Sequence, residues 1–186
     1  MRFVLALTAL LVIGVGLDSY RSGEELRVMQ AASDEMKFQV PLINGEGKKI
    51  GQAVLMQAAR GVLIHVEAEG LPPGWHALHI HEYGACEAPK FESAGGHYNP
   101  TNRKHGYNNR MGYHAGDLPN IYVNEQGQVR VEVFTDQVTL HPGKPNSLLK
   151  KGGTALMIHE GPDDYRTDPA GDAGGRLVCG VINTSI

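Results

Sequence analysis

The sequence has no positive charge to spare. Its 17 Lys and Arg are outnumbered by 20 Asp and Glu, a formal net charge of -3, which gives no reason to expect nucleic acid as a partner. Long apolar runs are also scarce. One occurs near the N-terminus and none follows, which excludes a multi-span membrane protein. The body of the chain shows no convincing helical period and no internal repeat. At 186 residues, with 41% hydrophobic and 20% charged residues, it has the size and composition of one globular domain with a good core, and disorder is excluded.

Glycine and histidine are abundant instead, with 24 Gly, 10 Pro and 9 His. Such Gly and Pro content favours a turn-rich β protein over a helical one. The apolar run Phe3–Leu17 follows Arg2 and is secretory in type, though short for a membrane span. No Cys lies near its end, which argues against a lipid-anchored lipoprotein, and no A-x-A site follows directly. A cleaved signal and an uncleaved N-terminal anchor both stay open. Residues 1–20 are therefore read as signal peptide or membrane anchor and 21–35 as linker, with the folded domain over 36–186. Export places the protein outside the cytoplasm, secreted, periplasmic or tethered. There the lone cysteine pair, Cys86 and Cys179, is expected to form a disulfide, two free buried thiols being the alternative. Closing so long a loop would stabilise the fold by ~4 kcal/mol in the chain-entropy model.

Strand patterns begin at Lys37–Ile43, end at an Asn44–Gly47 hairpin signal, and continue through Ile50–Ala58, Val62–Glu69 and Trp75–His81. After a long interval they resume at Ile121–Asn124, Val129–Phe134, Thr154–His159 and Arg176–Ile182. Eight short strands with no helix predict an antiparallel sandwich or flattened barrel. Two loops stand out, Glu82–Asn120 and Gly161–Gly175. A structureless stretch as long as the first is normally functional, or ordered by something other than packing.

His79 and His81 are two apart on a strand and share a face, with Leu78 and Ile80 turned the other way. Two imidazoles side by side suit a transition metal better than a core. In the long loop, His97, His105, His114 and Asp117 form a reasonable tetrahedral set for zinc, and such a site would explain how the loop is ordered.

These residues resemble the copper/zinc superoxide dismutases. The matching segments are Gly74-Trp-His-Ala-Leu-His-Ile-His-Glu-Tyr-Gly84, Ser93-Ala-Gly-Gly-His-Tyr-Asn-Pro100 and Arg103-Lys-His-Gly106. To these are added His114-Ala-Gly-Asp-Leu118, Met157-Ile-His-Glu160 and Ala173-Gly-Gly-Arg-Leu-Val-Cys-Gly-Val-Ile182, so that the likeness spans Met36 to Ile182. It implies an eight-stranded antiparallel Greek-key barrel with two long functional loops. It also implies one copper per subunit on His79, His81, His97 and His159, and one zinc on His97, His105, His114 and Asp117, with His97 bridging. Asp163 matches the carboxylate linking a copper histidine to a zinc histidine, Arg176 the arginine that receives the anion, and Cys86 and Cys179 the family disulfide. The implied substrate is superoxide, converted to oxygen and hydrogen peroxide. The competing reading is a dismutase-like copper carrier or structural surface module. Relatives dimerise through different surfaces, and nothing in the sequence selects one for a homodimer.

The remaining residues read more plainly. His76 is expected to pack, while His65 and His141 match no ligand position. Trp75 is expected to be half-buried packing. Met157 is assigned to core packing, on the ground that neighbouring strand positions face opposite ways. The loop Gly161–Gly175 carries Arg166 but no Lys, and four aspartates, Asp163, Asp164, Asp168 and Asp172. It therefore predicts weak steering of an anion.

Overall fold

The computed structural model describes residues 36–183. The expectations for residues 1–20 and 21–35 lie outside these residues. Among the described residues no helix is long and apolar enough to cross a membrane.

Nine strands form: β1 (Lys37–Asn44), β2 (Lys49–Gln57), β3 (Val62–Glu69), β4 (Gly74–His76), β5 (Leu78–His81), β6 (Ile121–Val123), β7 (Gln128–Thr135), β8 (Thr154–His159) and β9 (Arg176–Ile182). Alternation writes most of them. In β3, Val62, Ile64, Val66 and Ala68 are buried while the residues between them are not. Two tight hairpins use the same device. Asn44 Oδ1 accepts from the N–H groups of Glu46 and Lys48 at 3.1 and 3.0 Å, and Asn124 Oδ1 from those of Gln126 and Gln128 at 3.0 and 2.9 Å.

Seven strands pair antiparallel in the order β5-β8-β9-β1-β2-β3-β7, and β4 pairs with β6. β6 and β7 are joined by the Asn124 turn, and β4 runs directly into β5, so the sheet closes on itself as a flattened barrel. The chain crosses over between β3 and β4 and between β7 and β8, which makes the topology a Greek key. The expected single strand Trp75–His81 is two strands. At Ala77 the chain changes partners: Ala77 N donates to Gly161 O at 2.8 Å, and His159 N donates to Ala77 O at 3.0 Å. This division raises eight strands to nine.

The barrel is filled by Leu42, Leu55, Ile64, Leu78, Ile80, Leu156, Ile158 and Val178, all inaccessible or nearly so. Each fully buried aliphatic of this kind contributes roughly 1.5–3 kcal/mol. Leu140 and Leu148, on the connection between β7 and β8, join the same core. A smaller cluster of Phe91, Ala94, Ala155, Met157 and Cys179 lies under the first long loop. The disulfide Cys86–Cys179 ties that loop to β9.

Candidate metal centre

The candidate metal-ligating side chains gather on the outer wall of the barrel because the long loop folds back along β5. Ile80 N donates to Gly116 O and Tyr98 N donates to Ile80 O, both at 2.8 Å. These bonds set His97 opposite His81 and Asp117 opposite His79. Gly116 permits the approach, since a Cβ there would collide with the carbonyl oxygen of Ile80. Leu78 and Ile80 enter the barrel core, so His79 and His81 face outward under the loops.

Two groups of donors result, and they share one ring. One ligand atom from each of His79, His81, His97 and His159 lies within 4.8 Å of the others, and the same holds for His97, His105, His114 and Asp117. In the second group Asp117 Oδ1 lies 2.9 Å from His97 Nδ1, 3.1 Å from His105 Nδ1 and 3.2 Å from His114 Nδ1. His97 Nδ1 and His114 Nδ1 are 3.4 Å apart. Bonds of about 2.0–2.1 Å arranged tetrahedrally put donor atoms about 3.3 Å from one another, so this set fits a zinc ion. The other oxygen, Asp117 Oδ2, accepts from the backbone N–H groups of Gly106 and His114 at 2.9 and 3.0 Å, which fixes the carboxylate plane.

In the first group the tautomers can be read from the partners. His81 Nδ1 donates to Gly95 O at 3.0 Å and His159 Nδ1 to Gly174 O at 3.3 Å, which turns both Nε2 lone pairs toward each other at 3.3 Å. His79 Nε2 donates to Asp163 Oδ2 at 2.8 Å. Buried His79 Nδ1 and His97 Nε2 then have no hydrogen-bond partner among the described residues. Four imidazole nitrogens converge with no donor between them, the arrangement that a soft-to-borderline cation such as copper satisfies.

The electrostatics agree. Burial, reinforced by neighbouring imidazoles, pushes His81 far below the usual histidine range and His159 down to about 3. Burial takes His97 down to about 4 although Asp117 pulls the other way. None of these three rings is held as an imidazolium, as ligation requires, and His97 must also give up its remaining ring proton to serve both groups. Burial alone would lower His105, but hydrogen bonds with Asp117 and Asp163 prevail and raise it to about 9. The same kind of contact, against the effect of burial, holds Asp117 and Asp163 well below the carboxylate range.

Asp163 spans the two groups, with Oδ1 2.9 Å from His105 Nε2 and Oδ2 on His79. Half-buried Arg176 stands opposite His159 in the β8–β9 register. Its Nη1 and Nη2 donate to Phe91 O and Gly95 O, each at 2.6 Å. Gly95 O thus serves both Arg176 and His81.

The expected ligand residues, with Asp163 and Arg176, meet here, while His65 and His141 lie elsewhere. His65 Nε2 sits 3.0 Å from Glu67 on the outer barrel wall, and His141 is exposed. His76 is buried between His159 O at 2.7 Å and Pro72 O at 2.8 Å. Trp75 is not half-buried: it is 57% exposed and packs edge-to-face on Tyr122, because among the described residues nothing covers the outer-face positions of β4 and β6. Met157 packs as expected, but for a different reason. It is two residues from His159 and shares its face, and it is occupied by Phe91, Ala94 and Cys179 beneath the loop.

Sequence reasoning missed Asn120, Tyr165 and Gly171. Tyr165 N donates to Asp163 Oδ1 at 2.6 Å. Gly171 has φ +69°, and a Cβ on it would collide with the Asp163 carboxylate and crowd His105 Nε2. Its place in a glycine-rich loop was the only available signal.

Fold and site together define a class: a Greek-key β-barrel carrying on its outer wall two clusters of metal-capable donors that share one imidazole. The profile of the copper/zinc superoxide dismutase (SODC) family matches residues 49–182. "Superoxide dismutase [Cu-Zn] 2" of Aquifex aeolicus is 52% identical over 167 residues, 89% of this chain and 98% of that protein. "Superoxide dismutase-like protein YojM" of Bacillus subtilis is 40% identical over 185 residues, 96% of this chain and 93% of that one. Among solved structures, Cu/Zn superoxide dismutase from Brucella abortus superposes with a TM-score of 0.65 at 30% identity, covering 79% of this chain and 99% of that one. This chain belongs to the copper/zinc superoxide dismutase family.

Proposed function

We propose that this protein dismutates superoxide: two superoxide ions and two protons become one dioxygen and one hydrogen peroxide. Copper would be held by His79, His81, His97 and His159, and zinc by His97, His105, His114 and Asp117. When bound, copper supplies one-electron exchange, while zinc supplies a fixed cation that does not change oxidation state. The observation that carries this reading is the facing pair of Nε2 atoms on His81 and His159, together with the unpartnered Nδ1 of His79 and Nε2 of His97.

The chain's own groups do the rest. The Arg176 guanidinium, fixed by two backbone carbonyls, attracts and orients the small anion beside His159. His97, with Nδ1 committed to the zinc side, would hold a proton at Nε2 only while that nitrogen is not engaged by copper, and would give it to the peroxide product. Asp163 holds His79 and His105 in the tautomers that leave their Nδ1 atoms toward the metals. Burial of the ligand rings keeps bulk water from them.

The disulfide supports an extracytoplasmic location, since cytosolic thiols are kept reduced. Copper and zinc stoichiometry on purified protein, with a dismutase assay of wild type and His159→Ala side by side, tests the reading. One of each metal per chain, activity in wild type and its loss in the variant are expected. Protein that takes up zinc and copper but does not turn over superoxide would leave the dismutase-like carrier.

A further inference from the structure

We propose that Asn120 is a positioning residue for the metal centre, acting through the backbone of Asp163, an inference that rests on the metal assignment above. Asn120 lies three residues beyond Asp117, on the short link into β6, and touches none of the metal-ligating atoms described. Its side-chain amide closes on a single residue of the second loop. Oδ1 accepts from Asp163 N at 2.8 Å, and Nδ2 donates to Asp163 O at 2.9 Å. Asn120 N donates to the Tyr165 hydroxyl at 2.7 Å, and Tyr165 N donates to Asp163 Oδ1 at 2.6 Å. The three residues form a closed circuit.

An amide is the short side chain that presents one acceptor and two donors from the same group. Alanine would leave both the N–H and the C=O of Asp163 without these partners, and aspartate would set an anionic oxygen against the Asp163 carbonyl. With both backbone polar atoms held and Oδ1 gripped by Tyr165, the direction of the Asp163 carboxylate is fixed. That carboxylate is the common acceptor for His79 and His105. Because Asn120 is covalently close to Asp117, it makes the end of the zinc loop and the bridge to the copper side one mechanical unit. Asn120 therefore sets the aim of two ligands, one in each group, without contacting either ion.

The test uses the full-length protein loaded with copper and zinc. Zinc affinity is read by chelator competition, the zinc position by the visible bands of cobalt(II) substituted there, and the copper position by its electron paramagnetic resonance. Asn120→Ala is compared with Asn124→Ala, which also removes two side-chain-to-backbone bonds but in the β6–β7 turn away from the site. Loss of partners that orient ligands costs roughly ten- to a hundredfold in metal affinity, so Asn120→Ala is expected to raise the zinc Kd at least tenfold. It should also alter the copper(II) spectrum, whereas Asn124→Ala lowers Tm alone. If Asn120→Ala does not fold, Asn120→Asp, which keeps the shape and the Asp163 N–H bond, is read in the same way. A folded variant with unchanged zinc Kd and unchanged spectra overturns the role of Asn120 while leaving the metal centre intact. Wild-type protein that takes up neither metal overturns both.

Discussion

His81 and His159 present their Nε2 atoms to each other across 3.3 Å while each donates Nδ1–H to a carbonyl, of Gly95 and Gly174 respectively. Two lone pairs facing at that distance repel unless a cation joins them. The strands put the rings there, since β5 pairs with β8, and the two loops supply the carbonyls that decide the tautomers.

Metal removal should loosen the loops before the barrel. The segment from His97 to Asp117 owes much of its order to ligand contacts, whereas the core residues of β1–β3 do not. Chelation is expected to lower Tm and to raise hydrogen exchange over 97–117 and 160–175, with strand protection retained. Equal loss of protection everywhere would contradict this.

Asp163→Ala leaves buried N–H groups on His79 and His105 without their acceptor. Zinc affinity is expected to fall about ten- to a hundredfold. Chelator competition measures it, and a value within twofold of wild type would refute the bridging role.

Gly171→Ala adds a methyl group where the Asp163 carboxylate sits, at a φ of +69°. Backbone strain of this kind costs on the order of 1–3 kcal/mol, and the wedge adds to it. Lower Tm together with weaker zinc retention is the expected result. Lower Tm with zinc retention intact would confine the effect to the loop.

Arg176→Ala removes the fixed cation beside His159, so kcat/KM should drop by roughly tenfold or more with copper content unchanged. Wild-type rates should fall only gently with added salt. The loop Gly161–Gly175 offers Arg166 against four aspartates, and one of those, Asp168, already holds Lys104 at 2.7 Å. A steep salt dependence would show that other cations steer the anion.

Cys179→Ser opens a link between residues 93 apart in sequence. Stability is expected to fall by ~4 kcal/mol in the chain-entropy model. The freed loop carries Phe91 and Gly95, whose carbonyls clamp Arg176. Activity should therefore drop in folded, copper-loaded variant protein. Undiminished activity per copper would separate the disulfide from the arginine.

Much of the molecule was legible from residue order. Apolar runs bounded by turn signals, with alternation in several of them, marked the main strands, and the histidine pair His79 and His81 with the His97–Asp117 loop pointed to metal before any likeness was considered. The resemblance added His159, Asp163 and Arg176. Ala77 was not legible as a break, because it interrupts no pattern: the chain merely exchanges one hydrogen-bonding neighbour for another. Trp75 was misjudged for a related reason, since alternation gives a face but not whether anything covers it.

The sequence by itself determined the strand pattern, the donor types and their spacing, because these depend on side-chain polarity and local period. Only tertiary structure decided which ring nitrogen of each histidine is turned into the cluster, since carbonyls of Gly95 and Gly174 and the carboxylate of Asp163 set the tautomers from distant loops. A backbone oxygen carries no side-chain signature, so its partner appears only when the loops are folded together.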